Sequence, residues 1–206
     1  MKAFQTLIAG MALAALAGCA PPAPMMNMPE AGAPEAGPAD AAATCAPPAL
    51  NNTCAMEGCD FANISLPNCA APDTNFTFYG DNFCSNQLTL IVVSAGWCVP
   101  CQQEAAEMQA QIIEPYRGRV RVVTVYGQNV SRNGVSASEC MQWKNRYGLE
   151  GHMVFDPSGA VQRYFPNMAY PANLIIDRQG RIRYRIYGTS RGLQSLKDQL
   201  DGLLSE

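Results

Sequence analysis

Trp97-Cys98-Val99-Pro100-Cys101 lies directly after the apolar run of residues 88–93 and directly before the helix-forming residues 102–113. A helix N-terminus offers unpaired backbone N–H groups and the positive end of the helix dipole, and both stabilise a thiolate. The position therefore predicts that Cys98 is the reactive thiol of a redox-active pair. Cys101 follows one helical turn later, close enough to form a short disulfide, and is predicted to be the resolving thiol.

Two other structures use a Cys-x-x-Cys pair, namely half of a zinc site and a structural disulfide. The sequence has no second Cys-x-x-Cys to complete a four-sulfur site. Pro100 favours redox chemistry, because its fixed φ suits the first helical turn and it lacks an N–H that would have no partner there. Trp97 is predicted to cover the disulfide and to dock substrate, with core packing as the compatible alternative. We predict no metal, and no cofactor besides the disulfide itself.

Residues 1–18 have the pattern of a secretory signal peptide. A short positive start precedes the apolar residues 3–13, which are too few to remain as a membrane span. Leu16-Ala17-Gly18-Cys19 resembles the lipobox of bacterial lipoproteins, in which cleavage before the cysteine accompanies acylation of its sulfur. The resemblance implies that Cys19 is a lipid anchor, with ordinary cleavage and an unmodified Cys19 as the alternative. Ala20 is not the aspartate linked to inner-membrane retention, which favours the periplasmic face of the outer membrane.

Residues 19–44 after this signal consist almost wholly of Ala, Pro, Gly, Met and a few acids. Such a composition cannot bury enough apolar surface to offset chain entropy, so the segment is predicted to be a disordered tether. The net charge of the chain is −3, which argues against nucleic-acid binding because that function needs a basic patch. Arg178, Arg181, Arg183 and Arg185 alternate along the sequence and are predicted to line the solvated face of a strand.

Six of the nine cysteines remain once Cys19 and the Cys98/Cys101 pair are set aside, and export makes structural disulfides plausible. These candidates are Cys45, Cys54, Cys59, Cys69, Cys84 and Cys140. Four of them fall within residues 45–71, a segment poor in large hydrophobic residues, which predicts a small disulfide-rich extension. Spacing does not choose among the pairings. We expect the four N-terminal cysteines to pair among themselves and Cys84 to join Cys140.

Residues 72–206 alternate strand and helix patterns, which predicts one α/β domain. A capping box at Ser136 and Glu139 opens the second helix. The predicted elements are a buried strand at 88–94, a helix at 100–113, a strand at 119–126, a polar loop at 127–135, a helix at 136–147, a hairpin at 170–187 that turns at 177–180, and a helix at 191–204.

This order, with Trp-Cys-x-Pro-Cys after a strand, a late x-Pro before an apolar strand and Ile-Asp-x-x-Gly-x-Ile after it, resembles the thioredoxin superfamily. It is most similar to membrane-anchored thiol–disulfide oxidoreductases of the TlpA/ResA type. The resemblance implies a three-layer α/β/α fold around a central mixed sheet. It also implies that Pro171 is a cis-proline facing the disulfide and that Tyr170 docks the substrate chain, with a trans proline as the alternative.

One position departs from the thioredoxin pattern, and a second residue is the candidate to take over its role. Thioredoxins carry a buried aspartate six positions before the first active-site cysteine, and Val92 stands there in this chain. Proton transfer at Cys101 must then use water or another acid. The TlpA/ResA type keeps a glutamate at the position of Glu104, which makes Glu104 the candidate, with an ordinary helix-surface glutamate as the alternative.

The function predicted from these residues is thiol–disulfide exchange in the bacterial envelope. No histidine lies between the cysteines and Val-Pro resembles the reductive relatives, so a reductase or isomerase is favoured over an oxidase. Its partners would be disulfide-containing envelope proteins and a membrane electron donor or thioredoxin-like redox protein. A thiol peroxidase is a second candidate, although Ala95 stands where peroxiredoxins place Thr or Ser. A copper-handling or structural lipoprotein is the third, with His152 as the only histidine.

Overall fold

The computed structural model describes residues 48–80, 83–166, 169–188 and 192–206. The predicted signal peptide, the lipid anchor Cys19, the tether and Cys45 lie outside these described residues. Within the described ranges, no helix combines the length and the apolar character needed to cross a membrane.

Five strands form a mixed sheet, and β3 is its centre. The strands are β3 (Leu88–Ala95), β4 (Val120–Gln128), β5 (His152–Phe155), β6 (Ala172–Asp177) and β7 (Ile182–Tyr187), in the spatial order β5-β4-β3-β6-β7. β3 runs parallel to β4 and antiparallel to β6. Every residue of β3 is buried, as an almost wholly apolar sequence predicts for a strand covered on both faces. The predicted α/β class with a central mixed sheet is confirmed.

Three helices cover one face of this sheet. They are α1 (Val99–Met108), α2 (Ala137–Tyr147) and α3 (Gly192–Leu204), and their buried side chains form one core with β3 and β4. The expected helix over 100–113 changes form near its end, because α1 passes into a π-helical turn at Gln109–Ile113. The capping box of α2 is confirmed: the Glu139 N–H donates to Ser136 Oγ, and the Ser136 N–H donates to the Glu139 carboxylate.

The chain before β3 covers the other face of the sheet. A small antiparallel hairpin of β1 (Ser65–Pro67) and β2 (Asn75–Thr77) belongs to this layer. Phe61 and Phe78 are fully buried there, and their rings meet edge to face at 5.0 Å. Residues near Tyr164 complete the same core. Part of the expected Cys-rich extension therefore supplies one outer layer of the domain.

The disulfides differ from the expected pairing. Cys54 is bonded to Cys59, within the N-terminal group as predicted. Cys140 is bonded to Cys69, so the predicted Cys84–Cys140 bond is wrong, although Cys84 is disulfide-bonded as well. The reason is tertiary, since the Cys69 N–H donates to the Met153 carbonyl of β5 and α2, which carries Cys140, packs on the same strand.

Two of the four arginines predicted to line a solvated strand face are less solvated than predicted, whereas Arg178 and Arg181 are exposed as predicted. The hairpin turns as expected, with Asp177 Oδ1 accepting the N–H groups of Gln179 and Arg181 at 2.9 Å each. Arg183 and Arg185 are half-buried. Arg185 donates to the carbonyl of Tyr164 at 2.7 Å and also to that of Ala55. It thereby ties the N-terminal layer to β7, a contact that alternation along a strand does not reveal.

A candidate dithiol active site

Cys98 and Cys101 lie at the junction between β3 and α1. Cys98 is the N-cap of α1, with extended backbone dihedrals of φ −83° and ψ 102°. It is bonded to Cys101 across a Cα–Cα distance of 5.2 Å. The Cys101 N–H donates to Cys98 Sγ at 3.1 Å. In the reduced protein, that N–H and the helix dipole favour a thiolate at Cys98.

The disulfide is almost wholly covered, while its immediate neighbours are open. Cys98 is 2% exposed and Cys101 is 0% exposed. Val99 between them is 60% exposed. An exposed apolar side chain therefore lies directly next to the covered disulfide.

Trp97 is held by three different contacts. Its Nε1–H donates to Gln128 Oε1 at 2.9 Å. The edge-to-face contact with the Tyr170 ring has a centroid separation of 5.6 Å. The guanidinium carbon of Arg132 lies 4.3 Å from the indole centroid. The two residues predicted to dock substrate, Trp97 and Tyr170, thus lie against each other beside the disulfide.

Two glycines allow this close packing. A Cβ on Gly96 would lie 2.3 Å from Tyr126 Oη, and a Cβ on Gly127 would lie 2.2 Å from Gln162 Nε2 and 2.7 Å from Tyr170 Oη. Both Tyr170 Oη and Gln162 Nε2 are buried without a hydrogen-bond partner in the described part of the chain. Burial and, to a smaller extent, the charge of Asp156 raise the pKa of Tyr170 above its usual range.

The Tyr170–Pro171 peptide bond is cis, as the resemblance implied. Pro171 immediately precedes β6, whose first residue Ala172 is paired with Val93 near the end of β3. This register brings the cis-proline to the same end of the sheet as the Cys98–Cys101 turn. The substrate-docking role of Tyr170 remains a prediction.

Glu104 faces a polar partner on the sheet. Its Oε1 accepts a hydrogen bond from Asn173 Nδ2 at 3.1 Å, and Asn173 is paired with Val92, the position where thioredoxins carry an aspartate. Burial raises the pKa of Glu104 to about 7, against the opposing effect of the Asn173 hydrogen bond. A carboxyl group with that pKa can give or take a proton at neutral pH.

A cavity of about 200 Å³ lies beside this carboxyl group. Its lining includes Pro100, Glu104, Pro171, Asn173 and Leu193. The cavity thus joins the first turn of α1, the cis-proline and the buried acid. Its volume exceeds that of a water molecule, so solvent can reach the Glu104 carboxyl group.

His152 lies apart from the dithiol. It is the first residue of the edge strand β5, whereas Cys98 follows the central strand β3. Its ring lies 5.1 Å from the ring of Phe76, and burial followed by the charges of Arg121 and Lys144 lowers its pKa. Among the described residues, no group of three or more His, Cys, Asp or Glu side chains is arranged to hold a metal ion.

Several residues of the site were not identified from the sequence. Asn173 carried a signal, because it is one polar residue within the apolar start of β6. Gln128 and Arg132 both fall in the segment predicted only as a polar loop, and Gln162 falls in a connection with no motif. No sequence pattern links these three to Trp97 and Tyr170.

Comparison with solved structures shows which fold this is. A structure described as the thiol:disulfide interchange protein DsbE from Chlorobium tepidum aligns with 22% identity and a TM-score of 0.58, covering 72% of this chain and 98% of that one. A secreted Mycobacterium tuberculosis disulfide oxidoreductase homologous to E. coli DsbE aligns with 14% identity and a TM-score of 0.53, covering 68% and 96%.

A secreted thiol-disulfide isomerase from Corynebacterium glutamicum aligns with 18% identity and a TM-score of 0.57, covering 70% of this chain and 86% of that one. These likenesses establish the thioredoxin-like fold. No curated protein sequence matches this chain. The AhpC/TSA family matches residues 58–185, which is more than half of the chain. Since that match spans both the dithiol turn and the cis-proline, the chain belongs to the AhpC/TSA family.

Proposed function

We propose that this protein is a thiol–disulfide oxidoreductase of the bacterial cell envelope that reduces or isomerises protein disulfides through Cys98 and Cys101. The observation that carries the proposal is the Cys98–Cys101 disulfide across the start of α1, at the sheet end where the Tyr170–Pro171 bond is cis. The similar structures named above are described as an interchange protein, a disulfide oxidoreductase and an isomerase, which supports the same chemistry.

The exchange proceeds in two steps from the reduced dithiol. The Cys98 thiolate attacks one sulfur of a substrate disulfide, forms a mixed disulfide and releases the other substrate sulfur as a thiolate. Cys101 then loses its proton and attacks Cys98 Sγ, which releases the second substrate sulfur. The substrate gains two electrons and the enzyme disulfide is formed.

Glu104 is the acid and base proposed for the second step. Cys101 is 0% exposed, so its proton needs a nearby acceptor. Glu104 follows it by one helical turn, and its pKa of about 7 allows it to accept that proton at neutral pH. The adjoining cavity gives the proton a route onward to water.

Location and partners complete the proposal. Cys19 is proposed as the lipid anchor, with residues 19–44 as the tether that lets the domain reach partners from the periplasmic face of the outer membrane. Substrates are disulfide-containing envelope proteins. Reduction of the Cys98–Cys101 disulfide after each turnover requires a membrane electron donor or a thioredoxin-like redox partner.

The test is a redox titration of the full chain, with thiols trapped by alkylation and located by mass spectrometry. Cys98 and Cys101 should titrate as one reversible pair while the other disulfides stay bonded. A potential near about −270 mV supports a reductase, whereas one near about −120 mV would contradict the proposed direction. A pair that is reduced only when the domain unfolds would refute the exchange function.

A peroxide assay separates the proposal from a thiol peroxidase. Ala95, 0% exposed and without a hydroxyl, occupies the position where peroxiredoxins place Thr or Ser. We therefore expect reduced Cys98 to be oxidised much faster by a peptide disulfide than by an equal concentration of hydrogen peroxide. The opposite order would favour the peroxidase.

A further inference from the structure

The loop after β4 has a defined conformation beside the disulfide. Asn129 Oδ1 accepts the N–H groups of Ser131 and Asn133 at 3.0 Å each, and the Arg132 N–H donates to the Asn129 carbonyl at 3.1 Å. Such side-chain-to-backbone bonds hold an Asx-type turn. Arg132 adopts a left-handed conformation within it, with φ 61°. These hydrogen bonds therefore fix the backbone position of Arg132.

This conformation places a positive charge over the active-site tryptophan. The guanidinium carbon of Arg132 is 4.3 Å from the Trp97 centroid, within the range of a cation–π contact. Trp97 directly precedes Cys98, and it is held in place by Gln128 and Tyr170. A polypeptide whose disulfide reaches Cys98 must pass within reach of this charge.

Two exposed apolar side chains accompany this charge. Val99 is 60% exposed on one side of the disulfide, and Val130, two residues before Arg132, is 71% exposed. Val130 approaches the active-site turn directly, since its backbone N would lie 3.0 Å from a Cβ on Gly96. The two exposed valines, the Trp97 ring and the Arg132 guanidinium thus lie on the segments that adjoin the Cys98–Cys101 turn.

We propose that the surface formed by Trp97, Val99, Val130 and Arg132 selects protein substrates that carry an acidic side chain beside an apolar one next to their disulfide. This inference rests on the proposed function and names its substrate class. The valines offer area for the apolar flank, and the guanidinium attracts the carboxylate. A basic flank would place like charges together, so Arg132 both favours one class of substrate and opposes another.

The effect acts mainly on the rate of encounter. Charges near a binding surface raise the association rate of oppositely charged partners, and this gain falls with ionic strength. An exposed pair between Arg132 and a carboxylate is expected to change the exchange rate by about two- to fivefold. Reversal of the charge at Arg132 acts on both substrate classes and has a larger effect on their ratio.

The test uses three peptides that share one internal disulfide and one apolar flank and differ only in carrying Glu, Gln or Lys beside it. The reduced full chain, kept in a non-ionic detergent, is mixed with each peptide, and oxidation of Cys98 is followed by rapid alkylation. We expect the Glu peptide to react about fivefold faster than the Lys peptide at low salt, and this ratio to approach one at 1 M salt.

Substitution at Arg132 then assigns the selection to this residue. Arg132→Gln should bring the Glu-to-Lys rate ratio close to one, and Arg132→Glu should invert it. Arg178→Glu makes the same charge change at an exposed arginine at the other end of the sheet, after Asp177, which pairs with Leu88. It should keep the wild-type ratio, which controls for net charge.

The ratio also separates selection from a general effect on the Cys98 thiolate. A change in thiolate reactivity would alter the rates of all three peptides by the same factor and leave the ratio unchanged. An Arg132→Glu variant with the wild-type ratio overturns the inference while exchange itself stands. If wild type reduces none of the peptides, including the neutral Gln peptide, both the proposed function and the inference fail.

Discussion

The disulfide at the start of α1 and the disulfide that joins α2 to the N-terminal layer are equally hidden. Cys98 and Cys101 are 2% and 0% exposed, and Cys69 and Cys140 are 3% and 0% exposed. Their surroundings differ. The Cys101 N–H points at a sulfur, whereas the Cys140 N–H donates to the Ser136 carbonyl inside α2. Local donors, rather than exposure, distinguish a candidate redox centre from a cross-link in this fold.

The largest expected effect separates the two disulfides by activity. Cys98→Ser removes the attacking thiolate and should abolish insulin reduction in a coupled assay. Cys69→Ala combined with Cys140→Ala removes a bond that takes no part in exchange and should leave most of that activity. Loss of activity in the double variant, with its fold intact by circular dichroism, would show that both bonds belong to the redox centre.

The Cys69–Cys140 disulfide, which we expect to matter little for activity, should matter most for stability. Cys69 and Cys140 are 71 residues apart in sequence, and removing a cross-link over a loop of that size is expected to cost about 4 kcal/mol of unfolding free energy. Cys54 and Cys59 are 5 residues apart, so their matched double alanine variant should lose about 2 kcal/mol. Denaturant unfolding of the three proteins measures both losses, and equal losses would contradict the loop-length argument.

Glu104, a partly buried acid on the helix that carries Cys101, gives that region a pH dependence. The folded state raises the pKa of Glu104 from 4.5 to about 7, so the native protein binds this proton more tightly than the unfolded chain. The resulting stability is present below pH 4.5 and is lost as the pH rises through 7. Relative to Glu104→Gln, the oxidised wild type should lose about 3 kcal/mol of unfolding free energy between those limits.

Denaturant unfolding at a series of pH values measures this difference. The oxidised state is used because its bonded cysteines do not titrate. Glu107→Gln, an exposed change on the same helix that leaves Glu104 in place, should keep the wild-type slope. If the unfolding free energies of wild type and Glu104→Gln change with pH in parallel, the pKa of Glu104 is the same in the folded and the unfolded state.

The smallest expected effect concerns the packing behind Tyr170. A methyl group on Gly127 would fall 2.2 Å from Gln162 Nε2 and 2.7 Å from Tyr170 Oη, so Gly127→Ala should cost about 2 kcal/mol through overpacking. Gly134→Ala is the matched control, because no atom lies within 4 Å of its added Cβ. Thermal unfolding measures the stability of both variants. Equal stability would show that the Gln162 and Tyr170 side chains can move aside at little cost in unfolding free energy.

Local patterns were enough to predict the centre of the domain. The apolar run of β3, the proline in the first turn of α1 and the capping box of α2 are each set by neighbours in sequence, and each is found where expected. The cis bond at Pro171 followed from the family resemblance and not from the residues around it.

The rest depends on contacts between distant segments. Cys69 meets Cys140 because the β1–β2 hairpin folds against β5, and no cysteine spacing encodes that approach. The N-terminal segment 45–71 was predicted to be an extension because few of its residues are large and apolar, yet its Phe61 is fully buried in the core against the sheet. Arg132 reaches Trp97 only through the fold of a loop that has no hydrophobic period.

The Cys69–Cys140 bond also has a mechanical consequence. It closes a covalent ring that contains β2, β3, α1, β4, the whole loop to α2 and the first four residues of α2, and therefore both Cys98 and Cys101. Tension applied between residue 48 and Glu206 cannot lengthen the chain inside that ring while the bond persists. β5, β6, β7 and α3 lie outside it, as does Pro171, and these segments can be drawn out. Under load, the dithiol turn would be kept compact while the strand that faces it gave way.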